Sequence, residues 1–254
     1  MKVTRSKWDI YRVLKENKEL RPYLPKTRLF SKQNVETFLN RYQKVIIKPI
    51  HGRLGYGVIK LSMLPKGKYK LEFEDYYAVL PTKYQMHKAL IEKIGKEKYI
   101  IQQYIPLAKI NKQPIDIRVM LQRSATTDWT IWTITGKAAK IASPGYVITN
   151  SATKVLPVKE AIMRSNIKKK TPNKTTSEIN RVSLRTVEQL FSYSTKNYSA
   201  IGLDIGVDKK GNIWIIEANL KPNTSLFRLL NNPKIYKRIK AYKQKWRQYK
   251  KSRV

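Results

Sequence analysis

The sequence predicts an α+β fold, and three observations carry that expectation. Apolar runs come in pairs joined by turn residues, as in "AIGLDIGVD", "KKGN" and "IWIIEANLKP". Amphipathic segments with helix-start signals are interspersed among those pairs, without the strict alternation that a fully parallel α/β sheet requires. No internal repeat is present.

Taken in order, Ser6 and Asp9 read as a capping box opening a helix to about residue 20, after which Pro22 and Pro25 break the chain. Ser31 is a second N-cap, with Phe30 and Val35 placed as a hydrophobic staple, for a helix to about Tyr42. A glycine hairpin follows, then short strands in "KYKLEFED" and "YYAVLP". "TKYQMHKALIEKI" reads as a helix ending at Gly95, and "YIIQQYI" as a strand. In the middle, "DIRVMLQRS" and "WTIWTITGKAAKIA" pair across a turn at "ATTD". A short helix is expected over 157–167. "IKKKTPNKTTS" reads as a basic, disordered loop, and Thr175 with Glu178 as the capping box of a helix to about Asn197. The last two strands pair through "KKGN". The tail, 234–254, holds ten Lys or Arg and no acid, with Ile235, Ile239, Tyr242, Trp246 and Tyr249 on one helical face. That stripe suits packing on the protein's own core, and a basic amphipathic helix also suits a membrane or an anionic partner.

The balance of charge is far from ordinary: 53 Lys and Arg against 17 Asp and Glu give +36 over 254 residues. Such a surface attracts polyanions, whether nucleic acid, anionic lipid, nucleotides or acidic polymers. With no cysteine, disulfides, thiolate metal sites and cysteine nucleophiles are excluded, and two histidines are too few for a histidine-built zinc site. The basic start lacks an apolar signal core, and no run approaches the roughly 20 apolar residues of a membrane span. A cytoplasmic protein is the default expectation.

The chemistry concentrates in three places. In "KVIIKPIHGRLGYGVIKL", residues 44–61, Lys48 ends one strand, and Gly52, Gly55 and Gly57 lie before the next. The order G-x-x-G-x-G leads into a strand, so it fits neither the P-loop nor the dinucleotide turn, each of which opens a helix. Near the C-terminal end, Asp204 in "GLDIGV" and Glu217 in "WIIEANL" are acids inside apolar strands, with Asn219 on the face of Glu217. A turn at "KKGN" brings them together as hard oxygen donors suited to magnesium held jointly with phosphate; pairing with lysines is the plainer alternative. Asp116 and Arg118 share a face of their strand, where Arg118 can clamp a phosphate or carboxylate, or pair locally with Asp116, the stronger expectation of the two.

Together these segments resemble the ATP-grasp superfamily, and within it the YheC/YheD group of endospore coat-associated proteins. "YLPKTRLFS", "VIIKPIHGRLGYGVIKL", "YIIQQYIPL", "PIDIRVMLQ", "GYVITN" and "GLDIGVDKKGNIWIIEANLKP" are similar to its blocks, in the family's order, over about residues 20–228. The resemblance implies two α+β lobes clasping Mg-ATP. It gives Lys48 to the phosphates and Gly52, Gly55 and Gly57 to a lid over them. Gln102, Gln103 and Ile105 fall on the adenine-reading hinge, where many members carry an acid for the ribose. Arg118 faces the γ-phosphate as a catalytic residue beside Lys48, Asn150 is a further nucleotide-binding position, and Asp204, Glu217 and Asn219 are the Mg²⁺ ligands. Segment boundaries follow: 1–43 an N-terminal helical segment, 44–104 a small lobe, 105–233 a large lobe with the metal site, and 234–254 the basic helix.

Three departures accompany the likeness. Only about 44 residues precede the hairpin, so the family's N-terminal domain is expected to be missing or reduced to two helices; "NSATKVLPV" has no glycine pair after Asn150; and Lys140 stands where arginine is usual. ATP binding is expected to survive these, and acceptor binding is the function they touch. The implied activity is an ADP-forming carboxylate–amine ligase with an acyl phosphate intermediate and an unassigned carboxylate and amine acceptor. The alternative is a non-catalytic basic scaffold, spore-associated or polyanion-binding, that keeps the fold.

Overall fold

The computed structural model describes residues 2–52, 55–123, 131–142, 152–168 and 171–251. In chain order the elements are α1 (Lys7–Glu16), β1 (Thr27–Leu29), α2 (Lys32–Tyr42), β2 (Lys44–Pro49), β3 (Ile59–Met63), β4 (Tyr69–Phe73), β5 (Tyr76–Leu80), α3 (Lys83–Ile94), β6 (Tyr99–Gln103), β7 (Lys109–Ile110), β8 (Gln113–Arg123), β9 (Trp132–Ala142), β10 (Ala152–Leu156), α4 (Val158–Arg164), α5 (Pro172–Ser192), β11 (Ala200–Val207), β12 (Ile213–Asn219) and α6 (Pro233–Lys251). They form two antiparallel sheets, ordered β1-β6-β2-β3-β4-β5 and β10-β9-β8-β11-β12, with β7 paired to β8.

The first sheet is covered on one face by α2 and α3. Val35, Phe38 and Leu39 of α2, with Met86 and Leu90 of α3, pack against Val45, Ile47, Leu61 and Ile101. Both helices start as their side chains dictate: Ser31 accepts from the Asn34 amide and Thr82 from the Gln85 amide. Gly95 caps α3 with φ +58°, as expected for a glycine at a helix end.

The second sheet sorts its residues by parity. Ile115, Ile117, Val119 and Leu121 of β8 face a core shared with α1, α4 and α5, while Met120 faces the other way, toward α6. The N-terminal helix therefore belongs to this core: Ile10, Val13 and Leu14 are buried among β11, β12 and α5 residues. Its cap is the expected one, with Ser6 Oγ accepting from the Asp9 amide, but the helix ends at Glu16 and a one-turn helix at 21–23 follows.

Two expectations are corrected here. The segment read as a loop through Ser177 is helical from Pro172, and Thr175 is a buried position inside α5 instead of its cap. Proline at a helix's first residue lacks only an amide that would be unpaired anyway, so here it starts a helix. The "ATTD" turn and "GYVITN" lie outside the described residues.

α6 covers the β8 and β9 face around Gly136. A Cβ added there would meet Ile239 Cδ1 at 2.8 Å and Ile235 Cγ2 and Phe227 Cε1 at 3.0 Å, so the helix and the strand touch directly. Ile239 and Trp246 are buried, and the Arg123 guanidinium lies between rings, 4.4 Å from the centroid of Phe191 and 5.3 Å from that of Trp246. The tail's stripe is thus core, and its cations form the exposed side. Ile239→Ala is expected to lower unfolding free energy by about 2–4 kcal/mol. Lys243→Ala, on the exposed side, should stay within about 0.5 kcal/mol in the same urea titration.

Candidate functional site

The first sheet's face away from α2 and α3 carries the even-numbered residues of β2 and β6. Ile46 and Lys48 of β2 lie opposite Gln102 and Ile100 of β6, while Val45, Ile47 and Ile101 fill the core. Lys48 is buried. Its ammonium donates to Gln102 Oε1 at 2.8 Å and to the carbonyl of Ile216, on the second sheet, at 3.4 Å. Burial lowers Lys48 from its ordinary value to about 8; Glu217 and Asp204 pull it back up, and Lys7 pushes the same way as burial. Gln102 donates its amide nitrogen to Thr27 Oγ1 at 2.9 Å, so its side chain is committed to holding Lys48.

The second sheet presents charges in register. β8 and β11 place Arg118 opposite Asp204, β11 and β12 place Asp204 opposite Glu217, and β8 and β9 place Asp116 opposite Lys140. Arg118 grips Asp204 through both oxygens, Nε to Oδ1 at 2.7 Å and a terminal nitrogen to Oδ2 at 3.0 Å. Asn219 Nδ2 donates to Asp204 Oδ2 at 3.2 Å. The local Asp116–Arg118 pair expected from spacing is replaced: Asp116 pairs with Lys140 at 2.9 Å, and Arg118 with the carboxylate across the ladder. Cross-strand neighbours are closer than residues i and i+2, which explains the exchange. Burial raises the Asp116 carboxyl above its usual range against the pull of Lys140, and its Oδ1 is buried with no hydrogen bond.

Glu217 is the freer carboxylate, with its side chain 31% exposed and Lys7 Nζ at 3.6 Å. That same ammonium donates to the Gly52 carbonyl at 3.0 Å, tying α1 to the glycine hairpin. Gly57 shows why the hairpin needs glycine: its φ is +72°, and a Cβ would lie 2.9 Å from Tyr99 Oη.

Two connected spaces lie between the sheets. The larger, about 680 Å³, is lined by Gly52, Gly55, Arg118, Asp204, Glu217 and Asn219. The smaller, about 110 Å³, has Lys48, Gly55, Gln102, Gln103 and Ile105 on its walls, again with Asp204 and Glu217. One cleft thus brings together ten of the residues singled out from sequence; Gly57 sits at the same hairpin tip, and Asn150 lies outside the described residues. Sequence reading missed Lys7, which reaches Glu217 from 210 positions away with no local signal. It also missed Leu107 and Ile216, apolar walls of the smaller space that look like ordinary strand residues.

Chemically, the larger space offers two carboxylates and an amide at adjacent ladder positions. Among the described residues no group of three or more His, Asp or Glu is placed to hold a metal. The donor set suits a hard cation that takes its remaining oxygens from phosphate and water. The apolar smaller space, closed by a lysine, suits a flat ring whose charged end points outward.

The chain is similar to known proteins. The family described as YheC/D-like ATP-grasp matches residues 2–249. The endospore coat-associated protein YheD of Bacillus subtilis (strain 168) is 25% identical over 87% of this chain and 49% of its own length. YheC of the same organism is 24% identical over 85% of this chain and 59% of its own length. The chain thus spans about half the length of the curated relatives it matches. Among solved structures, a biotin carboxylase–β,γ-ATP complex from Campylobacter jejuni superposes with a TM-score of 0.56 at 13% identity, covering 94% of this chain and 46% of that one. At that identity the likeness shows the fold, an α+β arrangement of two lobes. The family match over nearly the whole chain settles membership: this protein belongs to the YheC/D-like ATP-grasp family.

Proposed function

We propose that the chain binds Mg-ATP in the cleft between its sheets and uses it to join a carboxylate to an amine. The observation that carries this reading is the convergence of Lys48 from one sheet with Arg118, Asp204, Glu217 and Asn219 from the other on a single space.

In this reading the adenine lies in the smaller space against Ile105, Leu107 and Ile216, beside Gln103. Lys48 meets the phosphates, and the backbone of Gly52, Gly55 and Gly57 closes over them. Asp204, Glu217 and Asn219 would hold Mg²⁺, which when bound neutralises charge on the phosphates. Arg118, fixed by Asp204, faces the γ-phosphoryl group. An acceptor carboxylate oxygen attacks the γ-phosphorus, and the bond to the β–γ bridging oxygen breaks with its electron pair leaving on ADP. The amine nitrogen then attacks the acyl carbon, phosphate departs, and the proton lost by nitrogen ends on phosphate. No side-chain nucleophile is needed, since positioning and charge neutralisation supply the catalysis. The relatives' association with the endospore coat is proposed for this chain as well. The +36 charge favours a second reading, a polyanion-binding scaffold.

Calorimetry separates the two. Saturable, Mg-dependent ATP binding weakened at least roughly tenfold by both Lys48→Ala and Glu217→Gln is expected. Binding indifferent to Mg²⁺ and to both substitutions leaves only the scaffold. A pH series adds an independent check. Lys48 is lowered to about 8, so between about 8 and its unfolded value the folded chain holds fewer protons than the unfolded one. Its burden on stability is therefore full below about 8 and relieved as pH rises through that window. Phosphate favours the ammonium form, so Mg-ATP affinity should fall above pH 8 by up to about tenfold per pH unit. Lys48→Arg, always charged, should flatten that slope.

A further inference from the structure

The larger space carries more positive charge than the nucleotide reading uses. Among the described residues, six cationic side chains line it against two carboxylates. Arg118 is taken by Asp204, Lys140 by Asp116, and Lys7 lies against Glu217 and Gly52. Three remain, each exposed: Arg5 ahead of α1, Lys221 just past β12, and Arg228 in the turn at 225–228. Arg5 and Lys221 make no hydrogen bond or ion pair among the described residues. Arg228 is held from behind, its Nε donating to Tyr236 Oη at 2.7 Å and its guanidinium 5.2 Å from that ring's centroid, which leaves its terminal nitrogens for a ligand. These cations come from three separate segments and converge on one mouth, beside apolar Leu226 and Leu229, the latter 65% exposed.

Resting on the Mg-ATP ligase reading, we infer that the acceptor is an oligocarboxylate: a molecule whose reacting carboxylate is accompanied by further carboxylates that Arg5, Lys221 and Arg228 bind. The reacting group belongs near Arg118, where the γ-phosphoryl group would lie, and the accompanying charges belong at the mouth. Guanidinium groups suit them because their planar forks match carboxylate geometry. The apolar side chains favour a ligand with carbon between its charges, as in an acidic peptide, over a compact inorganic anion. A small free polyacid shares the chemistry, and the test distinguishes the two.

The probe is fluorescently labelled hexaglutamate, measured by anisotropy with and without Mg-ADP at about 0.15 M salt, where charges beyond about 8 Å are largely screened. Hexaglutamine and citrate serve as unlabelled competitors. The triple variant Arg5→Ala/Lys221→Ala/Arg228→Ala is expected to lose roughly tenfold or more in hexaglutamate affinity, with its Mg-ATP affinity within about threefold of the wild type. Lys243→Ala/Lys245→Ala on α6 should bind the peptide as the wild type does. Competition by citrate as strong as by unlabelled hexaglutamate assigns the site to small polyacids, and competition by hexaglutamine overturns the charge argument. Equal peptide binding by wild type and triple variant, or equal weakening by the α6 variant, overturns the inference. A triple variant that loses Mg-ATP as well shows that these cations serve the nucleotide, and overturns it too. Failure of Mg-ATP binding in the wild type sinks the ligase reading separately, and the peptide measured without nucleotide still decides whether the mouth binds oligocarboxylates.

Discussion

The ammonium of Lys48 is where the two sheets depend on each other. It is buried, and a buried charge is tolerated only with hydrogen bonds and opposite charge close by. Its own sheet supplies one partner, Gln102, and the second sheet supplies the Ile216 carbonyl and the field of Glu217 and Asp204. The two lobes are therefore joined at the cleft by a charge that neither satisfies alone. Its lowered proton affinity records an incomplete balance, the condition under which an arriving phosphate gains most.

The second sheet solves the converse problem, holding carboxylates in a mostly apolar setting. Arg118 and Asn219 share the oxygens of Asp204, and Lys140 takes one oxygen of Asp116. Strand alternation makes this compatible with folding. The faces of β8 that pack on α5 and on the charge row are different faces, so the site costs the main core nothing in apolar packing. Along the charged face, α6 covers the Met120 end and leaves the Arg118 end open. Arg5, Lys221 and Arg228 at the mouth of the cleft leave it positive.

Much of this was legible because strand pairing is a local rule. The turn after Val207 forms as "KKGN" suggests, with Asp208 accepting from the amides of Lys210 and Asn212, and it sets Asp204 opposite Glu217. The helix starts at Ser6, Ser31 and Thr82 follow from side chains that satisfy free amides. What was illegible is non-local. Arg118 and Asp204 are 86 residues apart, and their pairing rests on which strand lies beside β8, a matter of topology. Gln102 looks like a hinge residue, yet its amide is used by a lysine and a threonine from other strands. Lys7 reaches the site only because α1 packs on the second sheet's core. The start of α5 was missed for a different reason, since proline signals both a break and a beginning.

The most direct measurement of the central claim is an NMR titration of the Lys48 side-chain amine in the ligand-free protein, repeated in Glu217→Gln. The interlobe charge contact predicts a midpoint of about 8 in the wild type and a lower one in the variant, because Glu217 is the strongest group holding the proton on. A midpoint at the ordinary lysine value, unmoved by the loss of the Glu217 charge, would mean that Lys48 is solvated and the two sheets do not share a site.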